Sequence, residues 1–106
     1  MGAIRRIWRG WTTPEDADVY ERLLTEEIFV DIASRGISGY RGIELLRREA
    51  GDEVEFVTIM TFDDMDAVRD FAGPDPGEAY VPPAARALLS RFDERSRHYE
   101  VRAETA

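Results

Sequence analysis

Apolar positions recur along this chain with two periods, one near two residues and one near 3.6. Residues 3–11 interleave Ile4, Ile7, Trp8 and Trp11 with arginines and predict a first strand. Thr12-Thr13-Pro14-Glu15-Asp16 then predicts a helix start. Thr13 can cap it, proline suits the first helical position, and acids favour the first turn. Val19, Tyr20, Leu23, Leu24, Ile28 and Ile32 fall on one helical face, and Gly36 suits the C-terminal cap. Such a helix runs for about 21 residues, on the order of 30 Å. Residues 40–48 predict a second strand, 49–52 with Gly51 a hairpin turn, and 53–62 a third strand. Asp63 or Asp64 can cap a helix through Ala72 that buries Met65, Val68 and Phe71 and stops at Gly73-Pro74. Residues 73–81 hold Pro74, Pro76 and Gly77 and predict a loop, the best lid candidate in the chain. Pro82-Pro83 predicts a short helix through Phe92, packed by Leu88 and Leu89. Residues 95–103 predict a last strand, with Tyr99 and Val101 on one face and His98, Glu100 and Arg102 on the other.

The order β-α-β-β-α-β, with an extra helical turn before the last strand, is the ferredoxin-like plan. It predicts a single α+β domain over residues 1–106: an antiparallel sheet with both main helices on one face. Val54, Phe56, Thr58, Met60 and Phe62 share one face of the third strand. Glu53, Glu55, Val57, Ile59 and Thr61 share the other, and past Glu55 that face is also largely apolar. In the second strand, Ile43 and Leu45 are expected opposite Tyr40 and Leu46. A strand wet on one side alternates more cleanly. The expected cover for the second face is another copy of the chain, because closed two-fold dimers are the commonest assemblies.

Composition narrows the chemistry. The formal charge over 106 residues is −8, which argues against nucleic acid and anionic membrane as partners. Cysteine is absent, and with it disulfides and thiol nucleophiles. Lysine, asparagine and glutamine are absent as well. His98 is the only histidine, so no two-histidine metal site forms within one chain. Asp63, Asp64 and Asp66 are read as helix-terminal acids, without a metal-loop motif. Ser34, Ser38, Ser90 and Ser96 lie in no nucleophile elbow, and no dinucleotide or phosphate-loop fingerprint is present. No stretch has the apolar run of a signal peptide or a membrane span, so a cytoplasmic location is expected.

Four segments together carry a family resemblance: Ile7-Trp8-Arg9-Gly10-Trp11-Thr12 leading into Pro14, Gly39-Tyr40-Arg41-Gly42 entering the second strand, Phe71-Ala72-Gly73 closing the second main helix, and His98-Tyr99-Glu100-Val101 in the last strand. In order and spacing the chain resembles the antibiotic biosynthesis monooxygenase domain, of the dimeric α+β barrel class, over nearly its whole length. The resemblance implies a homodimer with its two sheets face to face, and an apolar pocket in each subunit between sheet and helices. It implies oxidation of a small aromatic or polyketide-type substrate by O2 without a cofactor. Such a reaction needs a substrate deprotonated to an electron-rich enolate, a water-poor cavity and a base.

His98 is the expected base or donor, because its ordinary pKa of about 6.5 suits proton transfer near neutrality. Tyr40, Arg41 and Tyr99 are expected to orient a phenolate. Trp8, Tyr20, Phe29, Thr58, Met60, Phe62, Phe71 and Tyr80 are expected to line the pocket, with Trp11 and Phe56 as further aromatic candidates. A sister branch of the family degrades haem with an asparagine, a tryptophan and a histidine, which makes haem on His98 the alternative cofactor. This chain has no asparagine for that set. Relatives often carry tryptophan where Thr61 stands and proline where Val30 and Ser38 stand. These departures leave a repurposed, non-catalytic binder of small hydrophobic molecules as a further alternative.

Overall fold

The computed structural model describes residues 2–106 and is α+β. Strand β1 (Ile4–Thr12) is followed by a helical rod over residues 14–34. The rod comprises α1 (Pro14–Leu23), a π-helical segment (Leu24–Ile28) and α2 (Phe29–Ser34). Next come β2 (Tyr40–Ala50), β3 (Glu53–Phe62), α3 (Met65–Ala72), a single helical turn α4 (Pro83–Arg86), and two short strands, β4 (Arg91–Phe92) and β5 (Arg97–Glu100). The sheet is antiparallel in the order β2-β3-β1-β4, with β5 also pairing β1.

Local chemistry places most of these boundaries. Thr13 caps α1 through a side-chain bond from the Asp16 amide, with Pro14 at the first helical position. Asp64 caps α3 by accepting from the Ala67 amide at 2.9 Å. Gly36 sits at φ +61° just past α2, a conformation that costs a residue with a Cβ. Gly51-Asp52 makes the two-residue turn that joins β2 to β3.

All main helices lie on one face of the sheet. Ala17, Tyr20 and Leu24 pack against Val54, Phe56 and Ala85 in one core cluster. Ile32, Ala67, Val68 and Phe71 pack against Met60 and Phe62 in a second. The face of β3 expected to meet the helices does so.

Four sequence expectations change. The strand over 40–48 extends to Ala50. A bulge at Arg41 sets Tyr40 opposite Phe62 and Gly42 opposite Thr61, so Tyr40 joins Ile43 on the helix side rather than standing opposite it. The helix expected through Phe92 ends at Arg86. Beyond it, the Ser90 amide and hydroxyl both donate to the Trp11 carbonyl, and Arg91–Phe92 joins the sheet beside β1. The free edge of β1 supplies hydrogen bonds that continuing the helix would have forgone. Leu88 and Leu89 still pack on the first core cluster. The last strand is correspondingly short, Arg97–Glu100 instead of 95–103.

Candidate functional site

The space between sheet and helices is not completely filled. A cavity of about 50 Å³ remains, enough for a few water molecules. Its floor is the helix side of the sheet: Arg6 and Trp8 from β1, Ile43 from β2, Thr58 and Met60 from β3. Its roof is the helical rod, through Tyr20, Leu24, Ile28, Phe29 and Ile32. Phe71 of α3, Tyr80 to Pro82 of the long loop, Ala85 and Ser96 close the sides. Leu24 and Ile28 are the two ends of the π-helical segment, where the wider turn changes how the rod presents its side chains.

Trp8 reaches the floor because Gly10 makes room for it. A Cβ at residue 10 would stand 2.5 Å from the Trp8 ring and 2.9 Å from Leu89. The indole N–H donates to the Asp93 carbonyl at 2.7 Å, which leaves the ring's apolar surface facing the cavity.

One edge of the cavity is polar. Strand register sets His98 beside Arg6 and Arg6 beside Met60, so all three share the helix side. His98 Nε2 lies 2.9 Å from Arg6 Nη1. A guanidinium has no acceptor, so Nη1 donates and Nε2 must be unprotonated, with the imidazole proton on Nδ1. Burial, then the charge of Arg6, lower the His98 pKa, so the ring is neutral at pH 7. Arg6 is itself only 3% exposed, and burial lowers its pKa to about 10. It donates to the Pro76 carbonyl through Nη1 and to the Glu78 carbonyl at 2.8 Å through Nη2, and its guanidinium lies 5.4 Å from the Phe71 ring centroid.

The outer wall is held from outside. Arg35 at the end of the rod donates to the Tyr80 hydroxyl at 2.7 Å and stacks on that ring at 4.9 Å, while pairing with Asp31 at 2.9 Å. Tyr80 in turn packs edge-on to Phe71, 5.5 Å between centroids. The near half of the loop is pinned to the end of the chain by Asp75–Arg95 at 2.7 Å and by the Ser96 amide on the Gly77 carbonyl at 2.8 Å.

Of the residues expected to line the pocket, Trp8, Tyr20, Phe29, Thr58, Met60, Phe71 and Tyr80 do so. Phe62 does not: it is fully buried between Tyr40 and Phe71. Phe56 is likewise sealed beneath Tyr20, and Trp11 lies on the opposite face, sandwiched by Arg9 and Arg91. The expected catalytic group is not brought together. His98 adjoins the cavity through Arg6, whereas Tyr40 packs on Phe62, Arg41 pairs with Asp63 at the surface, and Tyr99 is 52% exposed on the far face.

Arg6 and Ser96 are the polar residues that sequence reasoning missed. A lone arginine among three in one strand carries no mark of burial. The cavity as it stands is far smaller than a porphyrin, and the only imidazole accepts from Arg6 through its unprotonated nitrogen. Among the described residues no three acids or histidines cluster as metal ligands, and no helix is long and apolar enough to cross a membrane.

No protein-family model matches the chain, and no curated protein matches it significantly. Solved structures do match. A Bacillus cereus protein described as an antibiotic biosynthesis monooxygenase is 11% identical, with TM-score 0.71, over 100% of this chain and 99% of that one. SnoaB, a cofactor-independent oxygenase from Streptomyces nogalater, is 23% identical, with TM-score 0.59, over 100% and 97%. The ActVA-Orf6 monooxygenase of Streptomyces coelicolor, solved with nanaomycin D, is 18% identical, with TM-score 0.65, over 99% and 91%. The chain has the antibiotic biosynthesis monooxygenase fold. Within that fold the cavity lies between sheet and helical rod, and His98 is on its helix side.

Proposed function

We propose that this chain is a cofactor-independent oxygenase that oxidises a small aromatic or polyketide-type molecule with O2 in the cavity between sheet and helices. The observation that carries the reading is an apolar, aromatic-walled cavity with one polar edge, built from Arg6 and Ser96, with His98 bonded to Arg6 next to it. The likeness in fold to SnoaB, itself a cofactor-independent oxygenase, supports it. In this reading the substrate ring enters by displacing Tyr80, since a cavity of about 50 Å³ is too small for it. His98 Nε2 exchanges its bond from Arg6 for the proton of the substrate, leaving an enolate. The enolate reduces O2; one oxygen atom becomes a carbonyl on the former methylene carbon, and the other leaves with two hydrogens as water. The apolar walls keep bulk water from the enolate. The functional unit is a homodimer joined across the free face of the sheet.

Oxygen uptake with an anthrone tests the reading. The protein should exceed the uncatalysed rate, and His98→Ala should lose about 10²–10⁴-fold of that excess. Uptake no faster than in buffer would overturn it. If an anthrone then still raised the melting temperature, the chain would be a binder without turnover.

A further inference from the structure

Arg6 is a buried cation without a counter-ion among the described residues. Ten of the fourteen arginines pair with a carboxylate within 4 Å. Of the other four, Arg22, Arg86 and Arg97 are exposed and need no partner. Among the described residues Arg6 alone is both buried and without a carboxylate partner, and burial lowers its pKa to about 10. Its neighbours are two carbonyls, a neutral imidazole and the face of Phe71. These satisfy hydrogen bonds but cancel no charge, and a charge removed from water is costly until it is paired.

The bonds Arg6 makes leave one edge of its fork unused. Three of five N–H groups are engaged, two on Nη1 and one on Nη2. The Nε–H and the second Nη2–H have no partner. Nε and Nη2 form the edge through which a guanidinium takes a carboxylate with two parallel hydrogen bonds. Arg6 lines the cavity, as does Ser96, which is 8% exposed and whose hydroxyl makes no hydrogen bond among the described residues. An arginine with unused donors and an uncancelled positive charge thus borders a space whose walls are mostly aromatic and aliphatic.

We propose that the cavity, enlarged when Tyr80 is displaced, is a receptor for a small hydrophobic carboxylic acid, whose carboxylate pairs with Arg6 along its Nε–Nη2 edge and whose ring packs against Trp8 and Phe71. The proposal rests on the reading above only in taking this cavity as the binding site, and it narrows the substrate class from aromatic molecules to aromatic acids. His98 holds Nη1 from the other side and is a positioning residue for the guanidinium. The two carbonyls fix its remaining edge.

The test compares 2-naphthoate with 2-naphthamide, and benzoate with benzamide, by calorimetry on the whole chain. Each acid should bind the unmodified protein about tenfold or more tightly than its amide, the size of a hydrogen-bonded charge. Arg6→Met should erase that preference while the amides bind as before. Equal binding of acid and amide to the unmodified protein, binding of neither, or a preference that survives Arg6→Met would each overturn the proposal. Where Arg6→Met fails to fold, the acid–amide comparison in the unmodified protein decides alone. Oxygen uptake takes no part in this measurement. A protein that oxidises an anthrone yet ignores the acids rejects the receptor and keeps the oxygenase, and one that binds acids without uptake does the reverse.

Discussion

His98 and Arg6 sit 92 residues apart in sequence and 2.9 Å apart in space, and each changes what the other can do. Burial, and then the charge of Arg6, disfavour a second positive charge, so His98 titrates below its ordinary 6.5. The sign for stability follows from linkage. Above about pH 6.5 both folded and unfolded chains hold a neutral imidazole. As pH falls below that, the unfolded chain takes up a proton that the folded one refuses, so His98 lowers stability until the folded-state pKa is passed. An NMR titration should show a His98 midpoint below 6.5, and Arg6→Met should move it upward because the charge is gone while burial remains. A midpoint at or above 6.5 in the unmodified protein would contradict this account. The imidazole itself was legible as a candidate. Its partner was not, because Ile4, Arg6, Trp8 and Gly10 alternate with Arg5, Ile7, Arg9 and Trp11. Each set holds an isoleucine, a tryptophan and at least one arginine, so polarity alone does not say which faces the helices.

Elements were legible where their chemistry is local. A cap, a first-turn proline, a Gly-Asp turn and a period of 3.6 act within a few residues, and β3 matches its expected span at both ends. The π-helical segment left no such trace, since the four-residue spacing of Tyr20, Leu24, Ile28 and Ile32 suits an ordinary helix as well as one with a wider turn. The bulge at Arg41 and the early end of α4 were hidden for a related reason: both answer to a neighbouring strand. The outer wall belongs to this scale too, because the bond from Arg35 to the Tyr80 hydroxyl ties the loop to the helical rod. Tyr80→Phe removes that bond and keeps the ring. A surface bond of this kind contributes about 1 kcal/mol at most, so ligand association should quicken by up to roughly fivefold. Stopped-flow tryptophan quenching during naphthoate binding would read it, and an unchanged association rate would show that Tyr80 does not gate entry.

For the whole molecule the open question of cover lies on the sheet face away from the helices. Ile7, Val57 and Ile59 are half-buried there by their own neighbours, while Leu46 is 48% exposed and Tyr99 52%. Charged pairs such as Arg48–Glu55 stand among them. An apolar band edged with paired charges matches the anatomy of a subunit interface, and a net charge of −8 would otherwise keep copies apart. Light scattering at micromolar concentration should give twice the 12.1 kDa chain mass. Val57→Asp, which places a charge in the middle of the band, should return it to one. A monomer in the unmodified protein would remove the dimer from the functional reading.

Element order, the two faces of each strand and the stripe of the long helix were all set by the sequence by itself, because periodicity and capping are properties of neighbouring residues. Alternation defines two faces but does not say which one meets the helices, and no local signal measures the space left between them. Pairing register answered the first question, bringing Arg6, Met60 and His98 onto the covered side. Packing answered the second, leaving a cavity bordered by a cation that no carboxylate among the described residues neutralises. Both depend on contacts between residues far apart along the chain, and so only the tertiary structure could decide them.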